Sequence, residues 1–157
     1  MKKLFSVLAV LFVLGTVNVF ALGIGPEGGT NPGYGGGAGG ISLKIDGVPC
    51  VFGISGYLGS TGTSIGVTAD WWIANPKIEK TWGYYYGVGL AGSFNVNGQS
   101  GGIFVGGRIL VGTNVFLLNN FVELYLQGAW QPGIWLSDPV QGSFNGFPVN
   151  IGLRFLF

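Results

Sequence analysis

Trp82, Tyr84, Tyr86, Val88, Leu90 and Phe94 fall on one side of an extended chain. Gly83, Tyr85, Gly87, Gly89, Ala91 and Ser93 fall on the other. Successive side chains of a β-strand point to opposite faces, so this segment presents one apolar face and one small or polar face. The pattern recurs along most of the chain. Ile41 to Asp46 alternates and stops at Asp46-Gly47, a hairpin dipeptide. Val48, Cys50, Phe52, Ile54 and Leu58 share a face, and after Gly59 to Gly62 so do Ile65, Val67, Ala69, Trp71 and Ile73. Beyond the Asn97-Gly98 turn, Ile103, Val105, Ile109, Val111, Val115 and Leu117 oppose Phe104, Gly106, Arg108, Leu110, Gly112 and Asn114. Asn119-Asn120 turns the chain again. Val122, Leu124, Leu126, Trp130, Ile134 and Leu136 then oppose Phe121, Glu123, Tyr125, Gln127, Gln131 and Trp135. A polar stretch from Ser137 to Gly146 leads into a last strand, Phe147 to Phe157. These segments make seven strands, and an eighth is expected from Leu22 to about Pro26 with part of the glycine run after it.

Which face is wet follows from charge. Asp, Glu, Lys and Arg make up 8% of the chain, whereas a soluble surface needs about 25–35%. A soluble barrel would also put its apolar face inside, yet here the face holding the in-strand charges is the one rich in glycine and small polar residues. Past the N-terminus the glycines interrupt every apolar run before it reaches the roughly 18 residues of a membrane helix. A strand crosses in about 9–11 residues, and single-chain outer-membrane barrels have even strand numbers. The expected fold is all-β: an eight-stranded antiparallel up-and-down transmembrane β-barrel, lipid outside and polar inside, with both termini periplasmic.

Lys2 and Lys3 precede an apolar stretch, Leu4 to Val13, and Val19-Phe20-Ala21 has the form of a cleavage site. Residues 1–21 are therefore expected to be a signal peptide and 22–157 the barrel domain. The chain has no histidine and one cysteine, Cys50. A Ser-His-Asp triad, a histidine zinc site and an internal disulfide are all excluded. Gly35 to Gly40 matches G-x-G-x-x-G, but a strand follows where a dinucleotide site needs a helix. Glycine there suits a mobile loop or a strand passing close to interior side chains. No cofactor, metal or nucleic-acid partner is expected, and the chain reads as a monomer that is not an enzyme.

Lys44, Asp46, Asp70, Arg108, Glu123 and Arg154 all point inward in this register. Five of them lie within about five residues of a periplasmic strand end, while Arg108 sits higher. An unpaired charge in so narrow an interior costs several kcal/mol, so these residues are expected to pair. Glu123 and Arg154, at similar height on adjacent strands, form the leading pair. The favoured role is a plug that fills the barrel and fixes register; a constriction for small solutes and an Asp46–Asp70 acid/base pair are the other readings. Trp71, Trp82, Tyr84, Phe155 and Phe157 face outward near the periplasmic ends, as in the aromatic girdle of membrane barrels. Trp135 is expected near the extracellular mouth, and Lys77, Glu79 and Lys80 in a solvated periplasmic turn. Only Glu27 to Gly40 and Ser137 to Gly146 are long enough to serve as binding loops.

The terminal run Val149-Asn150-Ile151-Gly152-Leu153-Arg154-Phe155-Leu156-Phe157 resembles the last strand of the small eight-stranded outer-membrane barrels, the group of the OmpA membrane domain, OmpX and OmpW. The segments Gly107-Arg108-Ile109-Leu110-Val111-Gly112 and Val122-Glu123-Leu124-Tyr125 are similar to small spirochaetal barrels. The resemblance implies that Phe155 and Phe157 form a signal to the outer-membrane assembly machinery. It also implies location in the outer membrane of a diderm bacterium, with a host or surface ligand as a further candidate partner. The loops here are short and little charged, unlike those of adhesive members. The function expected is a non-enzymatic structural or surface-interaction role, with a narrow channel or transporter for small solutes, hydrophobic ones among the candidates, as the alternative.

Overall fold

The computed structural model describes residues 22–157 apart from 34, 46, 60–61 and 97–101. Ten strands form one closed sheet: β1 (Leu22–Thr30), β2 (Gly36–Ile45), β3 (Cys50–Gly59), β4 (Gly62–Ala74), β5 (Trp82–Asn95), β6 (Ile103–Leu117), β7 (Val122–Trp130), β8 (Gly133–Leu136), β9 (Gln141–Ser143) and β10 (Val149–Leu156). Sequence neighbours pair antiparallel from β1 to β7, β10 pairs with both β7 and β1, and the β5–β6 ladder completes the ring. β8 pairs with β6 above β7, and β9 pairs with β8. These two short strands continue β7 and β10 up the wall, which makes the molecule an eight-stranded antiparallel barrel. Leu22 and Phe157 exchange both backbone hydrogen bonds at 3.0 Å, so the first and last described residues meet at one end, here the terminal end. The opposite end is the rim. The expected signal peptide and the Asn97-Gly98 turn lie outside the described residues.

Where the wall departs from the expected strands, backbone chemistry gives the reason. Gln131 and Pro132 interrupt the ladder between β7 and β8 because proline has no N–H to donate. The Gln131 N–H turns instead to the Gly146 carbonyl at 2.8 Å. Register survives the break: Ile109 faces Trp130 below it, and Gly106 faces Gly133 above. The first strand, expected from Leu22 to about Pro26 with part of the glycine run, ends at Thr30, and Gly36 to Gly40 open β2, so of the two readings of the glycine run the strand holds and the mobile loop does not. Backbone ladders need no side chain, and Gly37 to Gly40 pair with both Glu27 to Thr30 and Ser55 to Leu58. The stretch expected to be a Glu27 to Gly40 binding loop is therefore wall, leaving only 31–35 to connect the two strands.

The faces segregate as the alternation demands. Ile54, Leu58, Leu90, Val111 and Ile151 point outward and are 61–68% exposed. Inside, the fully buried side chains include Arg154, Glu123, Asn114, Ser42 and Tyr85. The main apolar cluster of the interior is small, Val51, Trp72, Tyr85, Leu110 and Tyr125, at mid-height and below.

Candidate functional site

At the terminal end, the β7–β10 register sets Glu123 directly opposite Arg154. Arg154 Nη1 donates to Glu123 Oε2 at 3.0 Å, and Lys44 Nζ reaches both carboxylate oxygens at 3.2 and 3.4 Å. Asn114 Nδ2 donates to Oε1 at 2.7 Å, and Arg154 Nε donates to Ser42 Oγ at 3.0 Å. One carboxylate thus serves two cations, and rings take up part of the remaining positive charge. The Arg154 guanidinium lies 3.8 Å from the Tyr125 ring centre, and Lys44 Nζ lies 4.6 Å from that of Trp72. Each is placed to gain from the negative face of the ring. Trp72 in turn stacks on Tyr85 at 3.9 Å. β2, β4, β5, β6, β7 and β10 all contribute to this layer, so it ties most of the wall together.

A second layer lies above it. Asp70 on β4 and Arg108 on β6 approach each other across β5, where Gly89 pairs with both. A Cβ on Gly89 would come within 2.3 Å of Asp70 Oδ1, so only glycine leaves the bridge room. Arg108 Nε lies 2.8 Å from Asp70 Oδ1, an ion pair whose angle falls short of a hydrogen bond. Gln127 Nε2 donates to Asp70 Oδ2 at 3.0 Å, and Tyr85 OH donates to Gln127 Oε1 at 3.2 Å. Arg108 Nη1 donates to Gln131 Oε1 at 2.6 Å, and Tyr125 OH donates to Glu27 Oε2 at 2.8 Å.

The structure therefore brings together five of the six charged residues singled out in the sequence, as a lower group (Lys44, Glu123, Arg154) and an upper pair (Asp70, Arg108). Asp46 lies outside the described residues. Asp70 does not join the lower group, as its distance from its strand end suggested. Barrel strands are tilted, so residues equally far from their turns sit at different heights. Phe121, expected inward, lies in the turn and packs its ring against Phe155 and Phe157 at 5.9 and 5.7 Å. Trp71, Trp82, Tyr84, Phe155 and Phe157 all lie on the outer surface, with Trp82 Nε1 donating to Thr113 Oγ1 at 2.7 Å. Lys77, Glu79 and Lys80 are exposed between β4 and β5. Sequence reasoning missed Glu27, Ser42 and Gln131 as members of the interior network. Gln131 had the inward phase but no obvious partner, and Glu27 was hidden by being assigned to a loop.

Above Arg108 the packing stops. A cavity of about 500 Å³ extends from the rim down to Arg108, between walls carrying Ser55, Ser64, Thr68 and Ser93 on one side and Phe104 and Trp135 on the other. Beneath its floor there remains a void of only about 10 Å³, touched by Asp70, Arg108, Tyr125 and Arg154. The described interior is thus a blind vestibule over a two-layer polar plug.

No family model matches this chain, and no curated protein matches it. The N-terminal β-barrel domain of Pseudomonas aeruginosa OprF does match in structure, with a TM-score of 0.55 over 87% of this chain and 97% of that domain. The fold is that of the OprF N-terminal barrel. At 18% identity the likeness to OprF carries the architecture alone, and the interior chemistry has to be read from this chain's own residues.

Proposed function

We propose that this chain is a non-enzymatic integral β-barrel of the outer membrane of a two-membrane bacterium, exported by residues 1–21 and monomeric. Its role is structural or surface-interacting, with the interior closed by the ion-pair network. One observation supports this above all: apolar side chains such as Leu90 and Val111 cover the outside while Glu123, Arg154 and Arg108 are buried inside. That inversion suits a solvent of lipid, where a closed ladder pairs wall backbone groups from strand to strand. In this reading the terminal end faces the periplasm, and Trp71, Trp82, Tyr84, Phe155 and Phe157 anchor it at the interface. Phe155 and Phe157 also end the strand offered to the assembly machinery.

The test is planar-bilayer conductance of the refolded chain from Leu22 onward, with folding checked by the mobility shift between heated and unheated gel samples. Silence from a folded protein is the expected result. Discrete conductance steps that change in Glu123→Ala would instead support the narrow-channel reading, whose path would run through the small void between the two charged layers.

A further inference from the structure

The vestibule is asymmetric in a way that packing alone does not require. Its lower neighbour is filled with Trp72, Tyr85, Leu110 and Tyr125, yet at rim height most inward positions of β2 to β5 are small, namely Ala38, Ser55, Ser64, Ala91 and Ser93, with Tyr57 and Asn95 the larger exceptions. Larger residues there would bury more surface and close the space. The opposite wall is aromatic. Phe104 on β6 lies over Gly106 and Gly133, where an added Cβ would come within 2.6 and 2.5 Å of its ring. Trp135 on β8 then packs against Phe104, ring centres 5.3 Å apart and planes tilted by 54°. Glycine at two positions holds Phe104 flat against the wall, and Phe104 supports Trp135.

A wall of hydroxyls facing a supported indole is complementary to a molecule with one C–H face and polar edges. The hydroxyl groups can each donate and accept, whereas the ring offers an apolar, electron-rich surface. Charge narrows the class. Arg108 at the floor is already engaged by Asp70 and Gln131, and Glu27 and Asp138 also line the space. Anions are therefore opposed rather than attracted. At about 500 Å³ the cavity falls in the roughly 300–1,000 Å³ range of small-molecule sites.

We infer that the vestibule is a binding site for a neutral saccharide of one or two rings, which stacks on Trp135 and hydrogen-bonds to the serine and threonine wall. The inference rests on the barrel reading above only for the side from which the sugar enters. A folded, heat-modifiable barrel that ignores sugar would sink this inference and leave that reading intact.

The experiment is titration of the refolded chain with maltose in phosphocholine micelles, which carry no sugar headgroup, followed by backbone and indole N–H shifts. Saturable shifts at Ser55, Ser93 and the Trp135 indole are expected, with a Kd of about 1 mM or tighter. Trp135→Leu should weaken binding about tenfold or more, as loss of an aromatic anchor does. Ser93→Phe, which fills the space, should abolish it. Leu136→Ala, on the outer face, should leave it unchanged. Shifts that stay linear in maltose, or that survive both Trp135→Leu and Ser93→Phe, would overturn the proposal. So would binding of glucuronate but not maltose, because Arg108 would then be acting as an anion site.

Discussion

Glu123 is the residue on which the lower layer turns, because two cations and an amide all point at its two oxygens. Removing one partner of a buried charge cluster leaves the rest uncompensated, at a cost of about 3–5 kcal/mol. Glu123→Ala should therefore lower the urea midpoint of the lipid-reconstituted barrel by more than Gln127→Ala, which removes hydrogen bonds worth about 1–3 kcal/mol. Equal midpoints for the two variants would show that the lower layer is not held by charge. Gly89 gives a second test at this scale. Gly89→Ala drives a methyl group into Asp70 and separates it from Arg108, whereas Gly107→Ala meets nothing within 4 Å. The first should destabilise by about 1–3 kcal/mol, as overpacking does, and the second should be near neutral. The sequence made the Glu123–Arg154 pair legible because both lie a few residues from the terminal end on strands expected to be neighbours. The Asp70–Arg108 bridge was not legible, since it skips a strand and exists only because position 89 lacks a side chain.

Among the elements, β8 and β9 stand apart. Pro132 interrupts the ladder below β8, and among the described residues β9 pairs only with β8, its far edge touching the rest of the wall through neighbours such as Phe147, whose N–H donates to Asn31 Oδ1 at 3.0 Å. β5 and β6, by contrast, share thirteen paired positions from Trp82–Val115 to Phe94–Ile103. Strands with fewer ladder bonds open locally at lower free energy. Hydrogen exchange followed by mass spectrometry should find Gln141 to Ser143 exchanging well before Tyr85 to Leu90. Comparable protection in the two segments would mean that the hairpin is locked by contacts other than its ladder. Alternation located β3 to β7 within a few residues, because each has large apolar side chains on every second position. It found Ile41 to Ile45 of β2 but not Gly36 to Gly40, and left the end of β1 open, because runs of glycine have no side chains to carry a phase.

For the whole molecule, the outward apolar face makes dependence on a membrane the expectation of the proposed reading. A lysine at mid-wall should cost about 2–4 kcal/mol in a bilayer, falling to about 0–1 near an interface. Leu90→Lys, at a position of β5 paired with both β4 and β6 and 68% exposed, should thus reduce the folded fraction in lipid vesicles far more than Ile78→Lys in the loop between β4 and β5. Similar losses from both would argue that the outer face does not meet hydrocarbon. A polar plug filling the lower interior and an open vestibule above it also separate two tasks in one barrel. The lower half holds the ring of strands together, and the upper half is left free to receive a ligand.

Much of this protein is settled by local sequence. A period of two, too little charge for water and turn dipeptides at strand ends together require a closed sheet with an apolar exterior. That follows because the alternation assigns each side chain to a face before any strand has found its partner. Heights inside the barrel are a different matter. They depend on tilt and on the stagger between strands, which arise only when the sheet closes on itself. Closure alone put Asp70 beside Arg108, brought Lys44 to Glu123 from a distant part of the chain, and left Trp135 facing a wall of serines.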